Sequence, residues 1–339
     1  MLSARVWCFT CAALRAVAES QQQYHLVLNY MHEVPVSSLC TVESLVRALR
    51  TAESSGSKTV TASVVPPTTR VVLWVRNKAK FLEDEGRTLS RILADPNRRR
   101  GVVVSVERLA LPELLAGTPM GRMREKDWGS TFVEQNKANA VRMAIVYKHG
   151  GAYLDSDIVV IRNPNANLFA SSNVVCEQRA GALNNAAFKF AQPRHPFLAA
   201  LMERFVNNFQ AVWAWNGPKV FQDVFDITCR GHPSRQCPGL TKVRPHETTP
   251  VDFDDAGRVF INTPCDQCHW RNKTNVHANT TLIHLFNHMI RAPLRHSCQH
   301  KIYNTTVIAN LQREACPISY AAITRRILDP GLCNAMRRK

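Results

Sequence analysis

Residues 149–161 read His-Gly-Gly-Ala-Tyr-Leu-Asp-Ser-Asp-Ile-Val-Val-Ile, and they constrain the fold more than any other stretch of the chain. Gly150 and Gly151 permit a tight turn without a Cβ penalty, and the apolar residues after them are typical of a short buried strand. Asp155 and Asp157 interrupt that strand. Because paired carboxylates are costly to bury unless a cation or hydrogen-bond donors neutralise them, the sequence predicts that the strand opens into a cleft here.

The spacing of the two acids suggests what neutralises them. In an extended chain, residues two apart face the same side, so Asp155 and Asp157 together suit a hard octahedral cation that also holds substrate phosphates. We therefore favour a site for metal and diphosphate. The alternative is a turn with two solvated acids, which is the commoner context of an isolated Asp-x-Asp triplet.

A helix is predicted directly upstream, over residues 136–148. Val141, Ala144 and Ile145 recur at helical spacing, and the glycine at position 150 is placed as a C-terminal stop. Asn139 and Arg142 share one face of this helix. The glycine turn joins this helix to the strand that carries Asp155 and Asp157. The polar residues of the helix would therefore lie beside the expected cation and could anchor its ligand.

The run from residue 138 to residue 157 resembles the sugar-nucleotide-binding segment of glycosyltransferase family 32, within it the α1,4-galactosyltransferase and α1,4-N-acetylglucosaminyltransferase group. The resemblance extends from about residue 24 to about residue 320. It implies a GT-A-like α/β fold with a DxD motif, built as a single catalytic domain with a C-terminal acceptor-side region. The expected boundaries are a weak apolar segment at 1–20, a nucleotide-sugar-binding half at 21–190 and an α1,4-glycosyltransferase region at 191–339.

The resemblance also implies an activity and a set of site residues. The activity is retaining transfer of galactose or N-acetylglucosamine from UDP-galactose or UDP-N-acetylglucosamine to a terminal β-galactoside on a glycolipid or glycoprotein. Asp155, Asp157 and His284 are the expected ligands of Mn²⁺ or Mg²⁺, and Asp155, Asp157 and Arg142 form the expected catalytic set. The residues expected to contact the UDP-sugar are Asn139, Arg142, Tyr153, Asp155, Asn184 and His284.

Two of these residues rest on local likenesses to the same family. Residues 183–188, which contain the pair Asn184 and Asn185, resemble its Asn-Gly-Ala-Phe turn beside the donor sugar. An ordinary turn pair is the alternative, and the position of the pair favours a contact with sugar hydroxyls. Residues 283–287, Ile-His-Leu-Phe-Asn, resemble its late Val-His-Val-Trp-Asn. A single histidine on an apolar strand is usually a core residue, so the resemblance alone favours His284 as a metal or diphosphate contact.

One position departs from the family pattern, which has Asp, in contact with the donor sugar, where this chain has Asn139. Asparagine keeps two hydrogen-bonding groups but loses the charge and one acceptor oxygen. A catalytically silent relative that binds UDP-sugar is therefore the alternative to a transferase. A phosphohydrolase would carry its Asp-x-Asp after the first strand, which makes the mid-chain Asp155 a poor match to that class.

Elsewhere the pattern is that of a doubly wound α/β scaffold. Strands are predicted at 24–29, 71–75 and 102–106, with helices at 41–49 and from Pro196 onward, and a Ser, Thr and Pro-rich surface loop at 51–69. Trp213 and Trp215 offer aromatic faces that could stack on an acceptor sugar. For one of the two, packing in the protein interior is an equally good interpretation.

Charge and cysteine content bear on partners and compartment. The 43 Lys and Arg exceed the 26 Asp and Glu to give +17, which predicts attraction to anionic membrane surfaces or anionic substrates. Apart from the runs 98–100 and 337–339 the basic residues are scattered, and they match no nucleic-acid motif. The apolar patch inside residues 1–20 is too short for a membrane span, so no convincing anchor is visible. Eleven cysteines and sequons at Asn272, Asn279 and Asn304 fit a secretory protein, and by resemblance the Golgi lumen.

Two pairs of cysteines carry specific expectations. The family has a cysteine pair at the positions of Cys229 and Cys237, and the resemblance therefore implies a disulfide between them. Cys265 and Cys268 have zinc-like spacing but lack a second pair, so a disulfide or two loop cysteines is the better interpretation.

Overall fold

The computed structural model describes residues 22–28, 38–49, 68–96, 101–230, 232, 236–237, 239–263, 265, 268–290 and 305–328. The expectations for the N-terminal segment 1–20, for most of the loop 51–69 and for the sequon at Asn304 lie outside these residues. Within the described ranges, every helix falls short of the length and apolarity needed to cross a membrane.

The centre of the molecule is an eight-stranded sheet in the order β3-β2-β1-β4-β7-β6-β9-β8. Its strands are β1 (Gln23–Leu28), β2 (Thr69–Val75), β3 (Val102–Arg108), β4 (Gly151–Leu154), β6 (Asn173–Arg179), β7 (Ala182–Phe190), β8 (Gln236–Cys237) and β9 (Leu240–Val243). Strands β1 to β4 run parallel, and β7 joins β4 antiparallel. The predicted first three strands are confirmed, and the parallel strands that alternate with helices confirm the α/β class.

Helices cover both faces of this sheet because its strands are apolar on both sides. The helices are α1 (Ser38–Ala48), α2 (Lys78–Ala94), α3 (Leu111–Leu115), α4 (Val133–His149), α5 (Pro196–Asn207), α6 (Val220–Thr228), α7 (Pro245–Thr248), α8 (Val307–Ala315) and α9 (Pro317–Leu328). On β1, Leu26 packs with α1 and α2 in one core cluster, whereas Val27 packs with α4, α5 and α6 in another. This alternation of sides is the period of a strand.

Gly150 and Gly151 connect α4 to β4, and both have positive φ. A Cβ on Gly150 would lie 2.6 Å from the Ala191 carbonyl oxygen, and one on Gly151 would lie 2.5 Å from the Gln23 carbonyl oxygen. Only glycine fits where the backbone approaches its neighbours this closely. The turn therefore fixes β4 in the sheet beside β1. It also sets where the chain leaves β4 into residues 155–157, which we call the acidic segment.

A second, two-stranded sheet lies beyond the acidic segment. Strand β5 (Ile158–Val160) pairs antiparallel with β10 (Leu282–His284), so that His284 lies opposite Ile158. A third core cluster joins this sheet to α8 and to the disulfide residues Cys40 and Cys316. The C-terminal part of the chain is thereby packed against the acidic segment and α1.

One local expectation is wrong. Residues 183–188 form part of strand β7 and are not a turn. The strand accommodates its polar pair at a register irregularity against β6, where Asn184 Oδ1 accepts a hydrogen bond from the Ala186 N–H at 3.0 Å. A side chain that bonds the backbone two residues on imitates a turn, which is why the sequence reads as one.

Three disulfides join described cysteines. The Cys229–Cys237 bridge expected from the resemblance is present, and Cys265 pairs with Cys268, which removes the zinc alternative. The Cys40–Cys316 bridge spans 276 residues and was not foreseen. Cys176 is a free, buried thiol.

Candidate active site

A cavity of about 630 Å³ opens where β4 ends, between the two sheets. All seven residues that the sequence singled out line it, namely Asn139, Arg142, Tyr153, Asp155, Asp157, Asn184 and His284. They come from α4, from β4 and the turn after it, from β7 and from β10. The acids therefore lie in a cleft and not within a continuous strand, as the cost of burying them requires.

Asp157 is held at the junction of the two sheets. Its Oδ1 lies 3.2 Å from His284 Nε2, and its Oδ2 accepts a hydrogen bond of 2.8 Å from the Asn287 N–H. The Leu285 N–H donates to its main-chain oxygen at 3.0 Å. Phe286, between these donors, has a φ of 52°, which turns the chain so that both amides face the acid.

Asp155 has different partners from Asp157. Its Oδ2 lies 2.9 Å from Arg142 Nη1, and the Tyr153 hydroxyl donates to its Oδ1 at 2.7 Å. Arg142 Nη1 also donates to the Asn185 carbonyl oxygen at 2.9 Å. The guanidinium thus fixes one carboxylate of the motif to strand β7.

The two carboxyl groups differ in acidity because their surroundings differ. Burial raises the pKa of Asp155, and Arg142 opposes this only in part. Burial also acts to raise the pKa of Asp157, but His284 and the Asn287 N–H outweigh it, so the pKa of Asp157 is lowered. Burial acts to lower the pKa of His284, and the charge of Asp157 reverses this and raises it. A second positive charge near Asp157 would therefore compete with the proton on His284.

These groups fit a divalent cation. Ligand atoms of Asp155, Asp157 and His284 all lie within 4.8 Å of one another. His284 Nδ1 is buried and has no hydrogen-bond partner among the described residues. Carboxylate oxygens with an imidazole nitrogen suit Mn²⁺, and the carboxylates also suit Mg²⁺.

Paired amides form part of the cavity wall beside Arg142. Asn185 Nδ2 donates to Asn139 Oδ1 at 2.8 Å, and one helical turn away Asn216 Nδ2 donates to Asn136 Oδ1 at 2.9 Å. The Nδ2 of Asn136 is buried without a partner in the described part of the chain. Both pairs engage the side-chain oxygen of their α4 residue from within the protein, and Asn136, Asn139 and Asn185 line the cavity.

Sequence analysis assigned no role to two of these amides, Asn136 and Asn216. Asn185 was considered only together with Asn184, as a polar pair that could bond sugar hydroxyls, and its bond to Asn139 was not predicted. The sequence signal for these amides was the Asn-Gly pair at 216–217, since a glycine can mark a close approach of the backbone. In the structure a Cβ on Gly217 would lie 2.6 Å from Asn185 Nδ2. Glycine there permits close approach of the backbone to the two amide pairs, Asn139 with Asn185 and Asn136 with Asn216, which we call the amide wall.

An aromatic rim lies at the mouth of the cavity. Trp213 is 38% exposed, stacks on His288 at 4.4 Å between ring centroids, and meets Phe132 edge-on at 5.6 Å. Trp215 is partly buried, and its indole N–H donates to the Asn208 carbonyl oxygen at 3.0 Å. Of the predicted tryptophan pair, one lines the cavity and the other packs beside it.

Two described families match successive parts of the chain. Residues 64–175 match the glycosyltransferase sugar-binding region containing the DXD motif, and residues 190–323 match the alpha 1,4-glycosyltransferase conserved region. A solved structure of PaToxG glycosyltransferase covers 64% of this chain and 76% of its own at 12% identity and a TM-score of 0.41, which is too distant to add to the fold described above.

Curated relatives carry matching names. Human alpha-1,4-N-acetylglucosaminyltransferase is 28% identical over 193 residues, which are 54% of this chain and 50% of that protein. Lactosylceramide 4-alpha-galactosyltransferase of Pongo pygmaeus is 31% identical over 163 residues, 45% of this chain and 70% of that protein. The chain thus spans half the length of the first of these relatives. These matches show that the chain belongs to the alpha 1,4-glycosyltransferase family, with a DXD-containing sugar-binding region.

Proposed function

We propose that the chain is a retaining α1,4-glycosyltransferase that moves galactose or N-acetylglucosamine from a UDP-sugar to a terminal β-galactoside. The observation that carries the proposal is the meeting of Asp155, Asp157 and His284, from segments 127 residues apart, with Arg142 in one cavity. The names of the relatives support the class of donor and acceptor.

Each polar residue has a distinct part in this reaction. Asp157 and His284 would hold Mn²⁺ or Mg²⁺, with Asp155 acting directly or through water. Such a cation, when bound, stabilises the charge that develops on the leaving diphosphate. Arg142 keeps Asp155 in place, and its side chain is only 11% exposed, so their ion pair is shielded from water. Tyr153 donates to the same carboxylate and so favours its charged form.

The acceptor is proposed to attack from the face that the leaving diphosphate vacates. The lining carboxylates in the described part of the chain are Asp155, Asp157 and Asp254, and each already faces a cationic partner. Asp155 faces Arg142, Asp157 faces His284, and Asp254 pairs with Arg179. A carboxylate nucleophile for a covalent glycosyl intermediate would be less reactive for this pairing, whereas attack by the acceptor uses none of these carboxylates as the nucleophile.

The transferred sugar is proposed to lie against the amide wall. Asn139 Oδ1 is engaged by Asn185, so the ligand meets the Asn139 N–H₂. Asn184 directs its oxygen to the backbone of Ala186, which leaves its own N–H₂ as the group for a sugar oxygen. The exposed face of Trp213 would then stack on the acceptor sugar.

Asn139 also favours the second candidate, a relative that binds UDP-sugar without turnover. An amide nitrogen donates where the family's Asp accepts, so a sugar hydroxyl in this wall loses the charged acceptor. This candidate keeps the metal site and predicts binding without transfer.

The acceptor and location are proposed on the same basis. A glycolipid acceptor fits the name of the lactosylceramide relative, with a glycoprotein as the other acceptor, and an anionic membrane surface fits the charge of +17. The Golgi lumen fits the three disulfides, since disulfides persist in oxidising compartments. The half 21–190 is proposed to bind the nucleotide sugar, and the half 191–339 to provide the acceptor side together with His284 for the metal site.

The test is transfer to a lactoside from UDP-galactose and from UDP-N-acetylglucosamine, with and without Mn²⁺. We expect turnover that requires the metal and falls at least 100-fold in Asp157→Asn, because the variant loses the charge that pairs with His284 and the cation. Asp84→Asn, an exposed acid in an ion pair with Lys80, is the matched control and should keep full activity. Metal-dependent UDP binding without turnover would favour the silent relative; metal-independent turnover would refute the site.

A further inference from the structure

Helix α1 contacts the acidic segment directly with its N-terminal half. The Thr41 hydroxyl donates to the Ser156 carbonyl oxygen at 2.8 Å, and Thr41 is 1% exposed. One turn on, Ser44 Oγ accepts a hydrogen bond from the Val160 N–H at 3.1 Å and donates to the Thr41 carbonyl oxygen at 3.2 Å. Two hydroxyl groups of one helix therefore hold the backbone on both sides of Asp157.

The bond from Thr41 controls the orientation of Asp157 for a geometric reason. The carbonyl of Ser156 and the N–H of Asp157 belong to one planar peptide group. Fixing that oxygen fixes the rotation of the plane from which the Asp157 side chain departs. The backbone on either side is fixed separately: the Asp155 N–H donates to the Ala186 carbonyl oxygen at 2.8 Å, and the Asp157 carbonyl oxygen accepts from the Leu285 N–H at 3.0 Å. For the peptide group between Ser156 and Asp157, Thr41 is the hydrogen-bond partner in the described part of the chain.

Helix α1 is itself held from its other side by the C-terminal part of the chain. The fully buried Glu43 accepts hydrogen bonds from the N–H groups of Ile318 and Ser319, at 3.0 and 2.7 Å, and from the Ser319 hydroxyl at 2.8 Å. A carboxylate at the N-terminus of α9 satisfies amides that have no partner within that helix. The Cys40–Cys316 disulfide ties the same two elements one residue before Thr41.

We propose that Thr41 is a positioning residue for the divalent cation, and that the clamp of Glu43 and Cys40–Cys316 keeps it against the acidic segment. The inference rests on the proposed metal site and concerns its affinity. Groups that orient metal ligands without touching the metal typically contribute 10-fold to 100-fold in metal affinity. Loss of the Thr41 hydroxyl is therefore expected to weaken Mn²⁺ binding at least about 10-fold.

The experiment measures the Kd for Mn²⁺ in the presence of UDP, from the electron paramagnetic resonance signal of free Mn²⁺. Thr41→Val removes the hydroxyl at almost constant volume, and Thr41→Ser restores it. We expect weaker binding in the valine variant and near wild-type binding in the serine variant. Thr324→Val is the matched control, because Thr324 makes a bond of the same length, 2.8 Å, to the Tyr320 carbonyl oxygen within α9.

Ser44→Ala is the second probe, because it releases the Val160 N–H while Thr41 is kept; it should weaken Mn²⁺ binding in the same direction. The melting temperature without metal is recorded for every variant. A lower melting temperature with unchanged Kd in Thr41→Val and Ser44→Ala would show a structural role only and overturn the inference. Wild-type protein that binds no Mn²⁺ would overturn the metal site and this inference with it, whereas Mn²⁺ binding without sugar transfer would overturn the proposed reaction and leave the inference standing.

Discussion

At the scale of single residues, His25 on β1 has a fixed tautomer. Its Nε2 bonds the Gly150 carbonyl oxygen at 3.0 Å, so it carries the proton, and its Nδ1 accepts from the Trp74 indole N–H at 3.2 Å. Burial, with the nearby His149, lowers the pKa of His25 from 6.5 to about 3. A second proton would break the bond to Trp74 and leave a buried charge.

This tautomer predicts a pH dependence of stability. The pKa of His25 is lower in the folded state than in the unfolded state, so the unfolded chain takes up the proton first as pH falls below about 6.5. Stability from this residue is complete above that pH and declines by about 1.4 kcal/mol per pH unit down to about pH 3. Between pH 6.5 and pH 4.5 the free energy of unfolding of the wild type should fall by roughly 2 kcal/mol more than that of His25→Asn. Urea unfolding at both pH values measures the difference, and equal losses would contradict this description of His25.

Asn139 provides a prediction about chemistry. In Asn139→Asp, one carboxylate oxygen can still accept from Asn185 Nδ2, while the other becomes an acceptor for a sugar hydroxyl. A hydrogen bond to a charged group contributes about 1.5 to 3 kcal/mol, so kcat/KM for the sugar nucleotide should rise about 10-fold. The Kd for UDP alone serves as the control and should not change. A kcat/KM equal to that of the wild type would mean that this amide does not face the sugar.

At the scale of secondary structure elements, the π-helical turn Trp215–Lys219 closes the amide wall. Its Gly217 leaves no room for a side chain, because a Cβ would lie 2.6 Å from Asn185 Nδ2 and 2.9 Å from Asn139 Oδ1. Gly217→Ala should therefore push Asn185 away from Asn139.

The expected result for Gly217→Ala is a KM for the UDP-sugar raised about 10-fold or more, since buried amides lose partners worth about 1 to 3 kcal/mol. Gly86→Ala on α2 is the control, because the nearest atom to its Cβ is 3.9 Å away and the helix tolerates alanine. Steady-state kinetics of both variants decide the matter. An unchanged KM in Gly217→Ala would show that the wall adapts without cost.

The elements also show what a sequence can predict. The glycine turn, the apolar strands and the polar face of α4 follow from local pattern, and these place Asn139, Arg142, Asp155 and Asp157 at one end of β4. His284 came from resemblance alone, since its partner Asp157 is 127 residues away and is reached only through the pairing of β10 with β5. The bond of Asn185 to Asn139 was not predicted, because it depends on a register irregularity between β6 and β7 that no local pattern specifies.

At the scale of the whole molecule, the two family regions share one structure. Strand β9 from the C-terminal half completes the main sheet beside β6, and β10 pairs with β5. The clamp of α1 on α9 joins positions 276 residues apart. Long-range contacts of this kind cannot be inferred from residue periodicity, and Cys40–Cys316 was accordingly not predicted. We propose that the halves fold as one unit, with the acidic segment between them.

The central claim is that Asp155, Asp157 and His284 hold a divalent cation on the diphosphate of a UDP-sugar. It is tested most directly by anomalous diffraction from crystals of the protein soaked with Mn²⁺ and UDP. We expect one strong Mn²⁺ peak, within bonding distance of Asp157 and His284 and of the UDP phosphates, with Arg142 still paired to Asp155. UDP bound in the cavity without a manganese peak at these residues, or a peak elsewhere in the molecule, would contradict the claim.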